Sequence, residues 1–156
     1  MMRTCCFTGH RDLPEAGTPE YASLVLKLET AVRDAVSAGV HRFAVGGAEG
    51  FDLLAGEWIL TLKRVDPSVA LAVYIPYRGQ PDRYSPKDRA RYAALLSGAD
   101  ETLLLSDEYH AGCMRERNAR MIADADLCIA YVRKRPSGSA QTMRMAQKKG
   151  IPIFLL

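Results

Sequence analysis

The sequence holds only four cysteines, three histidines and one tryptophan in 156 residues. Cys5, Cys6, Cys113 and Cys128 show no CxxC or Cys/His spacing, which removes the zinc frameworks and leaves small buried thiols suited to a reducing compartment. His10, His41 and His110 lie far apart and form no helical ligand pair, so no metal site is expected. No apolar run approaches the ~20 residues of a membrane helix. The first residues carry one arginine and then a polar turn, so no secretion signal is expected and a cytoplasmic location is. Charge of one sign is scarce too, since 21 Lys and Arg against 18 Asp and Glu leave a net +3. A surplus this small accommodates an anionic small ligand without singling one out.

What is present is 48% hydrophobic residues in a regular alternation. A chain of this length buries roughly 68–70% of its unfolded surface, enough for one core without staples. Apolar runs at 3–8, 41–45, 69–75, 101–105, 127–132 and 151–156 read as strands buried on both faces. Cys5 and Cys6 are adjacent in the first run and therefore point to opposite sides.

Five helices are predicted between the strands, over 19–38, 51–63, a third opening at Ser85-Pro86-Lys87-Asp88 and closing at Gly98, 112–124 and 139–149. In the first, Thr18 suits the N-cap, Pro19 the first helical position and Gly39 the left-handed residue beyond the end. Such alternation implies an α/β fold: a Rossmann-like open parallel sheet of about six strands with helices on both faces. No repeat or linker interrupts it, so residues 1–156 read as a single domain.

In an open parallel sheet, ligands bind outside the carboxyl ends of the strands, where the strand order reverses. Glycine, hydroxyl and arginine gather there, in Thr8-Gly9-His10-Arg11, in the turn 46–52, in Pro76-Tyr77-Arg78-Gly79 and in 133–138. The turn Gly46-Gly47-Ala48-Glu49-Gly50-Phe51-Asp52 has three glycines in five residues between a strand and a helix. Either they bring backbone amides against a phosphate at the helix N-terminus, or they make a tight turn and pack helix on strand. On the first account Gly47→Val abolishes ligand binding with little effect on folding.

At about 100° per residue, Met114, Asn118, Met121 and Ala125 share the inward stripe of the fourth helix, with Arg117 on its flank. A buried amide needs a partner, either a loop carbonyl or a ligand. Arg117 would offer its planar fork to a phosphate or carboxylate, and Arg117→Ala would then lose about 1.5–3 kcal/mol of binding. The start of the fifth helix, Ser137-Gly138-Ser139-Ala140-Gln141-Thr142, is either an ordinary cap or a second anion cradle. Arg133-Lys134-Arg135 reads as a solvated charge run.

Four of these segments, "FTGHR" (7–11), "GGAEGFD" (46–52), "IPY" (75–77) and "MRERNARMI" (114–122), together resemble the SLOG superfamily, most closely its YspA/YpsA-like branch. The glycine turn also looks like that of DNA-processing protein A, and the Met-x-x-Arg pattern like that of the "lonely guy" phosphoribohydrolases. The resemblance implies a Rossmann-like fold that binds nucleotides or derivatives such as ADP-ribose- or NAD-like molecules, with no cofactor required and a homo-oligomeric assembly. Carried over by position, the implied ligand contacts are Thr8, Gly9, Arg11, Gly46, Gly47, Gly50, Asp52, Arg117, Asn118, Ser137, Gly138 and Thr142. One departure matters. Where the phosphoribohydrolases end their "PGGxGTxxE" motif on a catalytic glutamate, this chain has Met145, and a thioether can neither act as a base nor steady an oxocarbenium-like charge.

Binding or sensing of a small phosphate-bearing, nucleotide-derived ligand is therefore the leading expectation, with no catalytic residue assigned. An N-glycosidase using Asp52, Glu49 or Glu116 is the alternative. Single-strand nucleic-acid binding ranks third. It needs stacking aromatics in a basic groove, and only Tyr77, Tyr84 and Tyr109 fall in loops.

Overall fold

The computed structural model describes residues 3–156, so the first two residues of the expected domain fall outside it. Six strands, β1 (Arg3–Gly9), β2 (Val40–Val45), β3 (Ala70–Ile75), β4 (Glu101–Leu104), β5 (Leu127–Tyr131) and β6 (Ile153–Leu155), alternate with five helices. These are α1 (Pro19–Ser37), α2 (Phe51–Val65), α3 (Pro86–Gly98), α4 (Cys113–Asp124) and α5 (Gly138–Lys149). Every strand pairing is parallel, in the order β4-β3-β2-β1-β5-β6. The fold is the α/β, Rossmann-like arrangement the sequence predicts.

The helix ends follow local chemistry. Thr18 accepts a hydrogen bond from the Tyr21 amide ahead of Pro19, and Ser85 does the same for the Asp88 amide. Gly150 closes α5 in the left-handed region, where glycine carries no Cβ penalty. Two expectations shift. The last strand is shorter than 151–156, because Pro152 has no N–H to give the ladder; its carbonyl still accepts from the Cys128 amide. A 3-10 turn at Gln80–Arg83, with proline at its start, was not anticipated.

Side-chain alternation along the strands divides the core into two layers. Cys5, Phe7, Phe43 and Leu71 pack against α1, α2 and α3. Cys6, Ala44, Ala72, Cys128 and Ala130 face the other way, against Met121 and Ile122 of α4 and Ala140, Met143 and Ala146 of α5. The four cysteines are buried and free, and burial pushes the Cys5 thiol well above its ordinary value. Among the described residues no helix is long and apolar enough to cross a membrane.

Candidate functional site

The chain runs outward from β1 through β4, then returns to lay β5 on the other side of β1. The loops after β1 and β5 therefore leave the sheet in opposite directions, and the gap between them is the topological switch point. A cavity of about 360 Å3 opens there. Eight of the expected contacts line it: Thr8, Gly9, Arg11, Asp52, Arg117, Asn118, Ser137 and Gly138. Gly46, Gly47, Gly50 and Thr142 do not.

The glycine turn owes its composition to packing. A Cβ on Gly46 would stand 2.4 Å from Nη1 of Arg117 and 2.8 Å from Oδ2 of Asp52. Gly47 has φ +71°, and a Cβ there would meet the Tyr92 ring at 2.9 Å. Gly50 has φ +81° and lies against the Arg11 carbonyl.

The turn's polar groups are also held from within. Asp52 Oδ2 accepts from the Gly46 and Ala48 amides at 3.2 and 3.3 Å. The Phe51 amide donates to the His10 carbonyl. Gln80 Nε2 and Arg117 Nη1 donate to the Gly46 carbonyl, and the Tyr84 hydroxyl donates to that of Gly47. Three of its amides, those of Gly46, Ala48 and Phe51, are thus taken up within the protein, and its three glycines stand outside the cavity lining. Gly47→Val would strain a positive φ and push Tyr92, so its effect falls on stability. Thr142 also stands outside the cavity lining: it is 1% exposed and its hydroxyl donates to the Gly138 carbonyl.

Arg117 and Asn118 exchange the places expected of them. Helix α4 buries Cys113, Arg117 and Met121 at a spacing of four, which turns Arg117 inward and leaves Asn118 half-buried at the rim. Arg117 is 5% exposed. Its Nη1 also reaches the Tyr74 carbonyl at 3.3 Å, and its Nε donates to Asn118 Oδ1 at 2.7 Å. Burial pulls its pKa down while the Asp52 charge pulls it up; burial in turn pushes the Asp52 carboxyl above its ordinary value. Nη2 of Arg117 has no partner among the described residues.

His10, Gln80 and Ser139 line the cavity and were not singled out beforehand. His10 and Ser139 belong to turns flagged for their neighbours. Gln80, in the unforeseen 3-10 turn, carries no periodic signal. Its Oε1 accepts from the Tyr92 hydroxyl, whose pKa burial pushes up to about 12, so the phenol remains a donor.

His10 joins the two walls of the cavity. Its Nε2 accepts from the amides of Arg133 and Lys134 at 2.6 and 3.0 Å. Amide groups only donate, so Nε2 carries no proton and Nδ1–H donates to Ser139 Oγ at 3.0 Å. Burial lowers the His10 pKa from 6.5, reinforced by Lys134 and Arg133 and opposed by Asp12. A lowered histidine pKa gives stability that is complete above pH 6.5 and lost as pH falls through the lowered value. The protection of the 133–139 amides, their exchange relative to the intrinsic rate at each pH, should therefore fall on acidification, and His10→Ala should show low protection at every pH. A wild-type loop indifferent to pH from 8 to 5 would sink this assignment.

At the head of α5, Ser137 Oγ caps the Ala140 amide. The Gly138 and Ser139 amides have no partner among the described residues. They open the helix where its dipole is positive and beside the cavity.

A six-stranded parallel sheet with helices on both faces and a cleft at its switch point defines the Rossmann-like α/β domains. Within that class, the YspA SLOG family model matches residues 5–151, and the chain belongs to that family. It is 26% identical over 117 residues to a UPF0398 protein of Halalkalibacterium halodurans, covering 73% of this chain and 62% of that one. A UPF0398 protein of Bacillus velezensis is 28% identical over 134 residues, covering 81% and 74%. The fold also matches DNA processing protein A of Helicobacter pylori, reported for its single-stranded DNA binding mode. That match has a TM-score of 0.66 and 21% identity over 98% of this chain and 64% of the other. The chain thus spans under two thirds of the length of two of these proteins.

Proposed function

We propose that the protein binds a nucleotide-derived, phosphate-bearing ligand in the cleft between the β1 and β5 loops, with the phosphate on the N-terminus of α5. The observation that carries this is the pair of unpartnered amides at Gly138 and Ser139, facing a cavity whose buried floor holds a cationic Arg117. Anions are stabilised there by the N–H groups and by the dipole together.

An N-glycosidase would have to draw on a short supply of acids. Of the three candidates only Asp52 lines the cavity, and one of its oxygens already holds two amides. Glu49 stands outside beside Asp88, and exposed Glu116 faces His110 at 3.5 Å. Met145 packs half-buried against the α4–α5 side of the core. Single-strand binding has one observation in its favour besides the fold likeness. Tyr77 and Tyr109 stack edge to face, 5.3 Å apart, in loops at the same end of the sheet. A steep salt dependence of oligonucleotide affinity would support it.

The test is calorimetric titration with ADP-ribose, NAD and AMP, with chromatography for released base. Saturable binding without base release is expected from at least one of them, whereas release would establish the enzyme. Gly138→Asp locates the phosphate. A side chain there meets nothing within 4 Å, and an acid in the first turn favours the helix. Stability should hold or rise while affinity for the bound nucleotide falls about tenfold or more through like-charge repulsion. Unchanged affinity would remove the phosphate from α5.

A further inference from the structure

The deep end of the cavity differs in chemistry from the α5 end. Thr8, Asp52 and Arg117 are each more than nine-tenths buried and all line it. Each keeps an atom with no hydrogen-bond partner among the described residues: Oγ1 of Thr8, Oδ1 of Asp52 and Nη2 of Arg117. Among the described residues the only such atom sealed from solvent is Nε1 of Trp58, so these three are open to the cavity they line. Asn118 adds a free amide nitrogen beside them, because its oxygen is taken by Arg117 Nε. The two charges make no ion pair with each other within 4.0 Å, and buried opposite charges left unjoined are costly.

A group that satisfies this end must donate to Asp52 and accept from Arg117 and Asn118. A phosphate offers acceptors only and repels the carboxylate. An aliphatic group satisfies neither. Hydroxyls do both at once, and two on neighbouring carbons reach an acceptor and a donor side by side. We propose that the floor formed by Asp52 and Arg117 reads the vicinal hydroxyls of a sugar, so that the ligand is a ribose phosphate derivative and not its deoxy counterpart. This rests on placing the phosphate at α5, because that is what leaves the floor to the sugar. A site built to hydrogen-bond a hydroxyl discriminates strongly against the analogue lacking it, because its own buried groups are then left unpaired.

The experiment compares ribose 5-phosphate with its 2-deoxy and 3-deoxy forms by calorimetry at pH 7.5, with inorganic phosphate and ADP-ribose as further probes. Ribose 5-phosphate should bind about tenfold or more tightly than at least one deoxy sugar. Asp52→Asn keeps an oxygen for the Gly46 and Ala48 amides and turns an NH2 toward the cavity, so it should abolish the preference. Its melting temperature is read alongside. Equal affinity for all three sugars in the wild type overturns the proposal while leaving a phosphate site intact. No binding of any sugar phosphate, phosphate or ADP-ribose overturns the parent reading as well. The wild-type comparison needs no variant, so poor folding of Asp52→Asn cannot obscure the outcome.

Discussion

Arg117→Ala is expected to destabilise the fold by about 3 kcal/mol, the cost of leaving buried acceptors without the charged donor they share. The substitution strips the Gly46 and Tyr74 carbonyls of a donor and leaves the buried Asp52 carboxyl without its compensating cation. For a chain of this size the melting temperature should fall on the order of 10 °C. The sequence suggested a different result, a binding loss with the fold intact, because it placed Arg117 on the helix flank. Arg117→Lys separates the contributions. Lysine keeps a charge near Asp52 but cannot span two carbonyls and Asn118 with a planar fork, so it should restore part of the stability. A melting temperature within a degree or two of wild type for Arg117→Ala would show that the network adds little.

Gly50→Ala should cost about 3 kcal/mol through two additive causes. At φ +81° and ψ −120°, outside the left-handed helical well, an alanine carries at least the roughly 1–2 kcal/mol of left-handed strain. Its Cβ would also sit 2.2 Å from the Arg11 carbonyl oxygen, a main-chain atom that can move only with its loop, and overpacking adds about 1–3 kcal/mol. Gly150→Ala is the control. Its φ of +84° is nearly the same, with nothing within 4 Å of an added side chain. With ψ 19° against −120° at Gly50, it should show the milder left-handed strain alone. Equal losses in the two variants, measured by denaturant unfolding, would mean that the β1 loop yields freely and that the contact with Arg11 is not tight.

Much of the fold was legible in the sequence because period and punctuation are local. Apolar runs marked all six strands, and Thr18, Ser85 and Gly150 marked helix ends by chemistry that acts within a few residues. The place of the cavity was legible as well, since it follows from strand order and loop composition. The roles of its residues were not. A one-residue change in the phase of α4 exchanged Arg117 with Asn118, and only packing against β3 and the glycine turn sets that phase. The glycines at 46, 47 and 50 looked like room for a ligand, yet the room is filled by Arg117, Tyr92 and Arg11. What fills it comes from 39 to 71 residues away in sequence, beyond the reach of any local pattern. His10 was within a flagged turn, but its partners lie 123 to 129 residues further on.

That last separation bears on the order in which the protein acquires its properties. Contacts of such long range form only after the intervening chain has been organised. During synthesis the β1 loop emerges first, and it has no Ser139 or Arg133 to hold until nearly the whole chain has followed. A chain halted before residue 133 retains the glycine turn, α4 and Arg117 but neither β5's loop nor the head of α5. Such a nascent chain holds half a cleft, and the cavity is complete only once residues 137–139 have joined the β1 loop.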